Sequence, residues 1–396
     1  MSASQWIEID ANALHHNIGV FRRVLAPGTR FAAVVKANAY GHGVDIVAPE
    51  IERDVDFFAV HSAPEARRLR RIGISKPVLV MGFVPPKGMS GLDADVHVLV
   101  STREELEWLG DSREREGVAH PVHLKVETGT NRQGVRVEQL GELITSAAQQ
   151  RLEIAGLAMH FANIEDTLEH DFARQQIDTF HRAIERARRA LGFDPPFIHA
   201  ACSAAALLFR EADFSMVRVG IGMYGHWPSR ETRLSWIMEH GTTGAGLEPV
   251  LTWKALVGQI KEVPTGETVG YGRTWQALRP TKLAVIPAGY ADGYPRMMGN
   301  RGRVLLGGRP APVVGRVCMN IFMADVTDTP GTAVGDEAIL VGSSERARIS
   351  AEEMATLCGT INYEILSRIS PAIDRHIVAR SRGHDPSLAR RNVVPT

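Results

Sequence analysis

Between residues 31 and 224, short apolar runs alternate with longer amphipathic stretches, and this alternation constrains the fold more than any other feature. The runs are FAAVV (31–35), DFFAVHS (56–62), PVLVMG (77–82), DVHVLV (95–100), PVHLKVE (121–127), IAGLAMHF (154–161), FIHAAC (197–202) and MVRVGIGMY (216–224). Intervening stretches such as APEARRLRRIG and DFARQQIDTFHRAIERARRALG carry apolar residues at the spacing of helices packed on a sheet. Eight strands in alternation with helices predict an α/β fold, a (β/α)8 TIM-type barrel. A doubly wound sheet is the other topology that alternation allows.

The rhythm breaks after Gly225. Residues 226–248 are polar, rich in turn-formers, and read as a connection. Beyond them LTWKALVGQIKEV, KLAVIPAG, RVLLGG, APVVGRVCM and EAILVG read as short strands separated by Gly/Pro turns, with one late helix around ISAEEMATLCG. The expected organisation is a barrel over 11–240 and a mostly-β C-terminal domain over 241–385, with residues 1–10 a strand of the latter. A chain of 396 residues suits two such cores.

Charge narrows the partners. With 45 basic and 45 acidic residues, the chain carries no electrostatic footprint for nucleic acid or an anionic membrane. No apolar stretch reaches the roughly twenty residues that span a bilayer, and MSASQWIEIDANAL lacks the pattern of a signal peptide. A cytoplasmic location is the expectation. Cys202, Cys318 and Cys358 are too widely spaced for a disulfide framework or a thiolate metal cluster, so no metal site is expected.

Catalytic groups of a barrel come from the carboxyl ends of its strands. The first run leads straight into Lys36, in FAAVVKANAYGHG. An ammonium at the end of a buried strand is costly unless paired or neutralised, although a lysine stem can also snorkel out of a sheet rim. The other strand ends supply KVETGTNRQG, His160, Ser203 and Arg218 followed by GIGMYG. A lysine facing a phosphate site after strands seven and eight suits a Schiff base to pyridoxal phosphate. Gly220-Ile-Gly222-Met-Tyr-Gly225 matches the dinucleotide fingerprint to the letter, but no helix or spaced acid is evident after it. The glycines fit better as a turn whose bare N–H groups meet a phosphate.

VVKANAYGHG resembles the cofactor-lysine signature of alanine racemases, pyridoxal-phosphate enzymes of fold type III. RVGIGMYG is similar to the family's phosphate and pyridine-nitrogen segment, VGYGRTW to its second-base segment, and AGYADGYPR to its pocket entrance. GRVCMN and INYEILSRI resemble its remaining active-site stretches, all in family order. The resemblance implies that Lys36 holds the cofactor and serves as one catalytic base, and that Tyr271 is the opposite base, reaching in from the second subunit of a homodimer. It implies phosphate contacts from Tyr40, Ser203, Tyr363 and the backbone of Gly220 and Ile221, with Arg218 at the pyridine nitrogen and His160 beside it. Arg132 and the backbone of Met319 would hold the substrate carboxylate, Tyr290 would narrow the entrance, and Lys125 would be a candidate for carbamylation. The implied activity is interconversion of L- and D-alanine, supplying D-alanine for cell-wall synthesis.

Physical chemistry supports these roles independently. Racemisation removes a proton from one face of a carbon and returns one to the other, so two opposed bases are the economical arrangement. Burial lowers a lysine toward neutrality, and nearby cations help a tyrosine, whose hydroxyl ordinarily ionises near pH ~10. An arginine is too weak an acid to protonate a ring nitrogen, which restrains charge delocalisation into the ring and the side reactions that follow.

The chain departs from the family pattern where ETGTNRQG (127–134) carries Asn131 for a glycine and Gln133 for a leucine. Asn320 stands for an aspartate after Met319, and Cys202 for an asparagine before Ser203. The changes in 127–134 and at Asn320 lie near the expected substrate pocket and bear on substrate range more than on reaction type. A racemase of other or broader substrate, a fold-type-III decarboxylase of basic amino acids, and a non-catalytic pyridoxal-phosphate carrier are the competing readings. Arg218 and Tyr271 speak against the decarboxylase, and the β domain against the carrier.

Overall fold

A computed structural model describes residues 4–241 and 246–379. Residues 380–385 of the expected C-terminal domain, and residues 1–3, lie outside the described residues. Strand β1 is Gln5–Asp10. The eight apolar runs form β2 (Arg30–Val34), β3 (Phe57–Val60), β4 (Val78–Val80), β5 (Val96–Val100), β6 (Val122–Lys125), β7 (Ile154–Ala158), β8 (Phe197–His199) and β9 (Met216–Val219). All pair in parallel in the order β8-β7-β6-β5-β4-β3-β2-β9, so β2 lies between β3 and β9. Backbone bonds from Ser215 N to Ile198 O (3.1 Å) and from Arg218 N to Ala201 O (3.0 Å) join the outer edges. The sheet thus curls into a nearly closed barrel, and the doubly wound alternative is excluded.

Most barrel strand residues are buried on both faces because helices cover the outside, which is why the runs read as continuously apolar. The long helix Asp171–Leu191 illustrates the fit: Ala173, Ile177, Phe180, Ala183, Ile184 and Ala187 form its buried stripe, and Gly192 ends it in a left-handed cap.

The C-terminal part is β10 (Leu251–Leu256), β11 (Gln259–Val263), β12 (Thr268–Val269), β13 (Trp275–Gln276), β14 (Thr281–Ile286), β15 (Arg303–Leu306), β16 (Arg309–Val314), β17 (Phe322–Asp325), β18 (Glu337–Ser343), β19 (Arg348–Ile349) and β20 (Asp374–Val378). The main sheet runs β11-β14-β17-β16-β15-β18-β10-β1-β20. In it β1 pairs antiparallel with β10, Ile7 opposite Trp253, and parallel with β20, Ile7 opposite Arg375. From β1 in the β sheet the chain enters the barrel through the helix Ala11–Val24, capped by Asp10. The late helix is Ala351–Cys358, followed by a second, Asn362–Ser367.

One expectation is corrected. The 226–248 segment is not only a connection, for Arg230–His240 is helical, capped by Ser229 Oγ, which accepts from Thr232 N at 2.9 Å. Its apolar periodicity is weak, and only Thr232 and Trp236 are buried, so its sequence carries little helical signal.

Candidate active site

Strand β2 ends at Val34, and Lys36 opens a turn of unusual hand. Ala37, Asn38, Ala39 and Tyr40 all have positive φ, from 51° to 55°. Left-handed backbone costs about 1–2 kcal/mol for each of Ala37, Ala39 and Tyr40, and less for Asn38, so the surroundings must dictate this conformation. They do so from several sides. Glu65, which caps the helix Ala63–Arg71, accepts Ala37 N at 2.7 Å, while its other oxygen accepts His61 N and Ser62 N. Asn38 Oδ1 accepts Val44 N at 3.1 Å, and Arg375 donates to Gly41 O from Nε and Nη2 at 3.0 and 2.8 Å. Gly41 (φ 83°) is pressed on the helix Asn362–Ser367 so tightly that a Cβ would stand 2.0 Å from Leu366 O. The turn thereby fixes Lys36 and Tyr40 relative to Tyr363, whose ring centroid lies 6.1 Å from that of Tyr40.

These residues line a cavity of about 580 Å³ at the carboxyl ends of the barrel strands, together with Lys125, Arg132, His160, Ser203, Arg218, Gly220 and Ile221. Ten of the thirteen residues singled out from the sequence meet in this one chamber. The exceptions are Tyr271, Tyr290 and Met319 of the β domain, which are 73%, 44% and 55% exposed. Tyr290 N donates to Cys318 O at 3.1 Å, so the Tyr290 and Met319 loops are neighbours.

The chamber is strongly cationic. Burial and the Arg132 charge lower the Lys36 amine, against the pull of Glu65. Lys125, only 5% exposed, is lowered well below its ordinary range by burial, then by Arg218 and Arg132. His160 is kept neutral by burial and by the Arg218 charge. Arg218 is held firmly: Nη2 donates to Met159 O (2.8 Å) and Ala200 O (3.0 Å), and Nη1 meets His199 Nδ1 at 2.5 Å.

Behind Arg218 runs a feature the sequence reading missed. His199 Nε2 lies 2.8 Å from His123 Nδ1, and His123 Nε2 lies 2.9 Å from His97 Nδ1. Phe197 stacks on His123, and Phe57 meets His97 edge-on. The histidines standing inside DVHVLV, PVHLKVE and FIHAAC were the available signal, since a polar ring in a doubly buried strand needs a partner. Glu65, His61 and Glu165 were missed too; Glu165 lies in the loop after β7, where strand-end reasoning would have reached it.

The residues present fit pyridoxal phosphate. Lys36, Lys125, Arg132 and Arg218 leave the chamber short of negative charge, with Glu165 the acid in its lining. Gly220 is bare because a Cβ would meet Tyr40 Oη at 2.4 Å, so the tyrosine hydroxyl lies against open backbone. Ser203 Oγ accepts Gly220 N (3.0 Å) and Gly222 N (3.2 Å), which gathers polar groups beside β9, where barrels hold phosphate.

A barrel with a lysine-bearing cationic chamber, followed by a β domain, defines the fold-type-III class of pyridoxal-phosphate enzymes. Comparison with known proteins narrows this. The family models "Alanine racemase, N-terminal domain" and "Alanine racemase, C-terminal domain" match residues 9–228 and 250–377. The chain is 37% identical to an alanine racemase of Leptospira interrogans over 378 residues, 95% of this chain and 96% of that protein. It is 38% identical to one from Halothermothrix orenii, covering 93% and 96%. Among solved structures, the alanine racemase of Bacillus anthracis with bound L-Ala-P superposes with a TM-score of 0.87 at 32% identity, covering 96% of each chain. The Bartonella henselae enzyme with covalently bound pyridoxal phosphate gives 0.81 at 27%, covering 95% of this chain and 100% of that one. The chain belongs to the alanine racemase family, whose members are pyridoxal-phosphate-dependent racemases.

Proposed function

We propose that this chain interconverts L- and D-alanine with two bases, the Lys36 amine and the Tyr271 hydroxyl, working on opposite faces of the substrate carbon. The observation that carries the reading is the chamber itself: a lysine whose charged form is disfavoured, fixed by an over-determined turn, among cations that suit an anionic cofactor and a carboxylate. Pyridoxal phosphate, when bound, supplies the electron sink that makes an amino-acid Cα–H acidic.

Each remaining role belongs to a side chain on hand. Lys36 would hold the cofactor, and its amine would take or return a proton at the substrate Cα. Tyr40, Ser203, Tyr363 and the backbone of Gly220 and Ile221 hold the phosphate. Arg218, which lies beside neutral His160, would meet the ring nitrogen, where its guanidinium would keep its protons. Arg132 and the backbone of Met319 hold the substrate carboxylate, and Tyr290 narrows the entrance. Lys125, buried and held toward its neutral form, has the free amine that carbamylation requires; the resulting carbamate would balance Arg132.

Tyr271 does not line its own chain's cavity. Its exposure, together with that of Tyr290, Met297, Met319 and Ile321 in the same domain, supports a homodimer in which each copy lends Tyr271 to the other's chamber. Among the described residues no helix is long and apolar enough to cross a membrane.

The test is proton NMR of the full chain with pyridoxal phosphate in heavy water, over a panel of single L-amino acids. Loss of the Cα–H signal with appearance of the D-enantiomer, fastest for alanine, is the expected result. A different fastest substrate would assign a broader pocket to Gln133 and Asn131. Loss of the carboxylate would replace the reading with decarboxylation, and no exchange with a carrier.

A further inference from the structure

Glu165 sits among the groups proposed to hold the cofactor phosphate, where a carboxylate would repel it. Its Oε2 accepts the Tyr363 hydroxyl at 3.2 Å, and its Oε1 accepts the Cys202 thiol at 3.6 Å. The backbone that carries it is tied down. Its own carbonyl oxygen accepts from Ser229 Oγ and, at 3.3 Å, from Thr232 Oγ1, so the start of the helix Arg230–His240 pins the loop.

A phenol has one hydrogen. Tyr363 cannot donate to Glu165 and to a phosphate at once. If it turns to the phosphate while Glu165 stays ionised, a half-buried carboxylate keeps only the weak Cys202 thiol donor beside a second anion, which is costly on both counts. The conflict disappears if the carboxyl gains a hydrogen and returns it to the phenol oxygen.

We infer that Glu165 is the proton-linked positioning residue of the phosphate pocket: phosphate binding takes one proton from solvent onto Glu165, while the Tyr363 hydroxyl turns from Glu165 to the phosphate. The step balances as one proton consumed, one O–H···O bond redirected and one formed. It rests on the reading that the chamber holds pyridoxal phosphate.

The surroundings favour this assignment. Burial, and then Asp166, already push the Glu165 carboxyl above its ordinary range, though Tyr363 and Cys202 oppose them. Facing it, burial holds the Cys202 thiol up at about 12 and raises the hydroxyls of Tyr40 and Tyr363, so these three stay protonated through neutral pH. Across the cavity stand Lys36, Lys125, Arg132, His61, His160 and Arg218; any proton these groups exchange with a bound anion is shared by wild type and Glu165→Gln, so the comparison cancels it.

The probe is pyridoxine 5′-phosphate, which carries the ring and phosphate but no aldehyde for Lys36 to attack. Calorimetry of the cofactor-free full-length chain, in buffers of different ionisation heat, counts protons taken up per ligand. Wild type is expected to take up close to one proton more than Glu165→Gln near pH 7. The ratio of wild-type to variant affinity is expected to fall up to about tenfold per pH unit as pH rises above neutrality. An infrared band of a protonated carboxyl should appear on binding to wild type, a readout that needs no variant. Equal proton counts with parallel pH profiles, or no such band, would overturn the inference. Failure of the wild-type chain to bind the probe or pyridoxal phosphate would instead overturn the cofactor reading.

Discussion

Arg218 Nη1 lies 2.5 Å from His199 Nδ1, and because a guanidinium can only donate, this contact sets the direction of every hydrogen bond behind it. His199 must accept at Nδ1 and, being neutral, donate from Nε2 to His123; His123 must then donate from Nε2 to His97. Nitrogen-15 NMR of histidine-labelled protein should find all three rings as the Nε2–H tautomer. An Nδ1–H signal from His123 or His199 would contradict the polarity.

The same burial makes the fold acid-sensitive. Burial pushes His97 down to about 4 and His42 to about 3, and holds His123, His199 and His160 well below their ordinary value. An unfolded histidine titrates near ~6.5, so as pH falls below that value the unfolded chain binds protons that the folded chain refuses. The stability these histidines contribute is therefore full above about pH 6.5 and is lost below it, by roughly 1.4 kcal/mol per pH unit for each until its folded-state value is reached. Urea midpoints of the cofactor-free chain at pH 7, 6 and 5 should fall accordingly. His97→Leu should fall less steeply over that window.

The left-handed turn predicts an inverted response to glycine. At most buried positions removing a Cβ destabilises, but at Ala39 (φ 54°) it relieves strain, and Ala39→Gly should be neutral or stabilising by up to about 1 kcal/mol. Asn38→Val adds a β-branch at φ 55° and removes the acceptor for Val44 N, and should cost about 2–3 kcal/mol. Chemical denaturation measures both. The Asn38 variant should also release pyridoxal phosphate faster, because the turn aims Lys36.

Asn131 explains one departure from the family pattern. Its φ is 50°, a region asparagine tolerates better than most residues, so asparagine suits a place where the family pattern has glycine. Asn131→Gly should change stability by less than about 0.5 kcal/mol, while Asn131→Val should cost at least about 1 kcal/mol. Any large change in relative rates among amino acids in Asn131→Gly would assign this side chain to substrate selection.

What was legible in the sequence follows from which forces act locally. All eight apolar runs became barrel strands because double-sided burial leaves an unbroken apolar signature, although β7 stops at Ala158 and the run that suggested it continues to Phe161. Residues past a strand end stay apolar when they line the barrel mouth, which is why the ends read long. The chamber residues were found through motifs at those ends. The left-handed turn was not legible, since alanine and tyrosine do not favour it and Glu65, Arg375 and Leu366 impose it from a distance. The helix Arg230–His240 buries too little to show a period. The histidine chain joins β5, β6, β8 and β9, and such a juxtaposition exists only after the barrel closes.

The central claim, that Lys36 of one copy and Tyr271 of another complete one racemising site, is tested most directly by mixing two inactive variants. Lys36→Ala and Tyr271→Phe should each lower the rate by about 10²-fold or more. In a hybrid dimer the Lys36→Ala chain lends its intact Tyr271 to the intact Lys36 of the other, giving one sound site and one doubly defective one. Dissociating and reassociating an equal mixture should recover about a quarter of wild-type activity, since half the dimers are hybrids and each has one working site. Recovery near that level is the predicted result. No recovery, with hybrid dimers verified by mass spectrometry, would mean that the two bases do not meet across subunits, and would contradict the account.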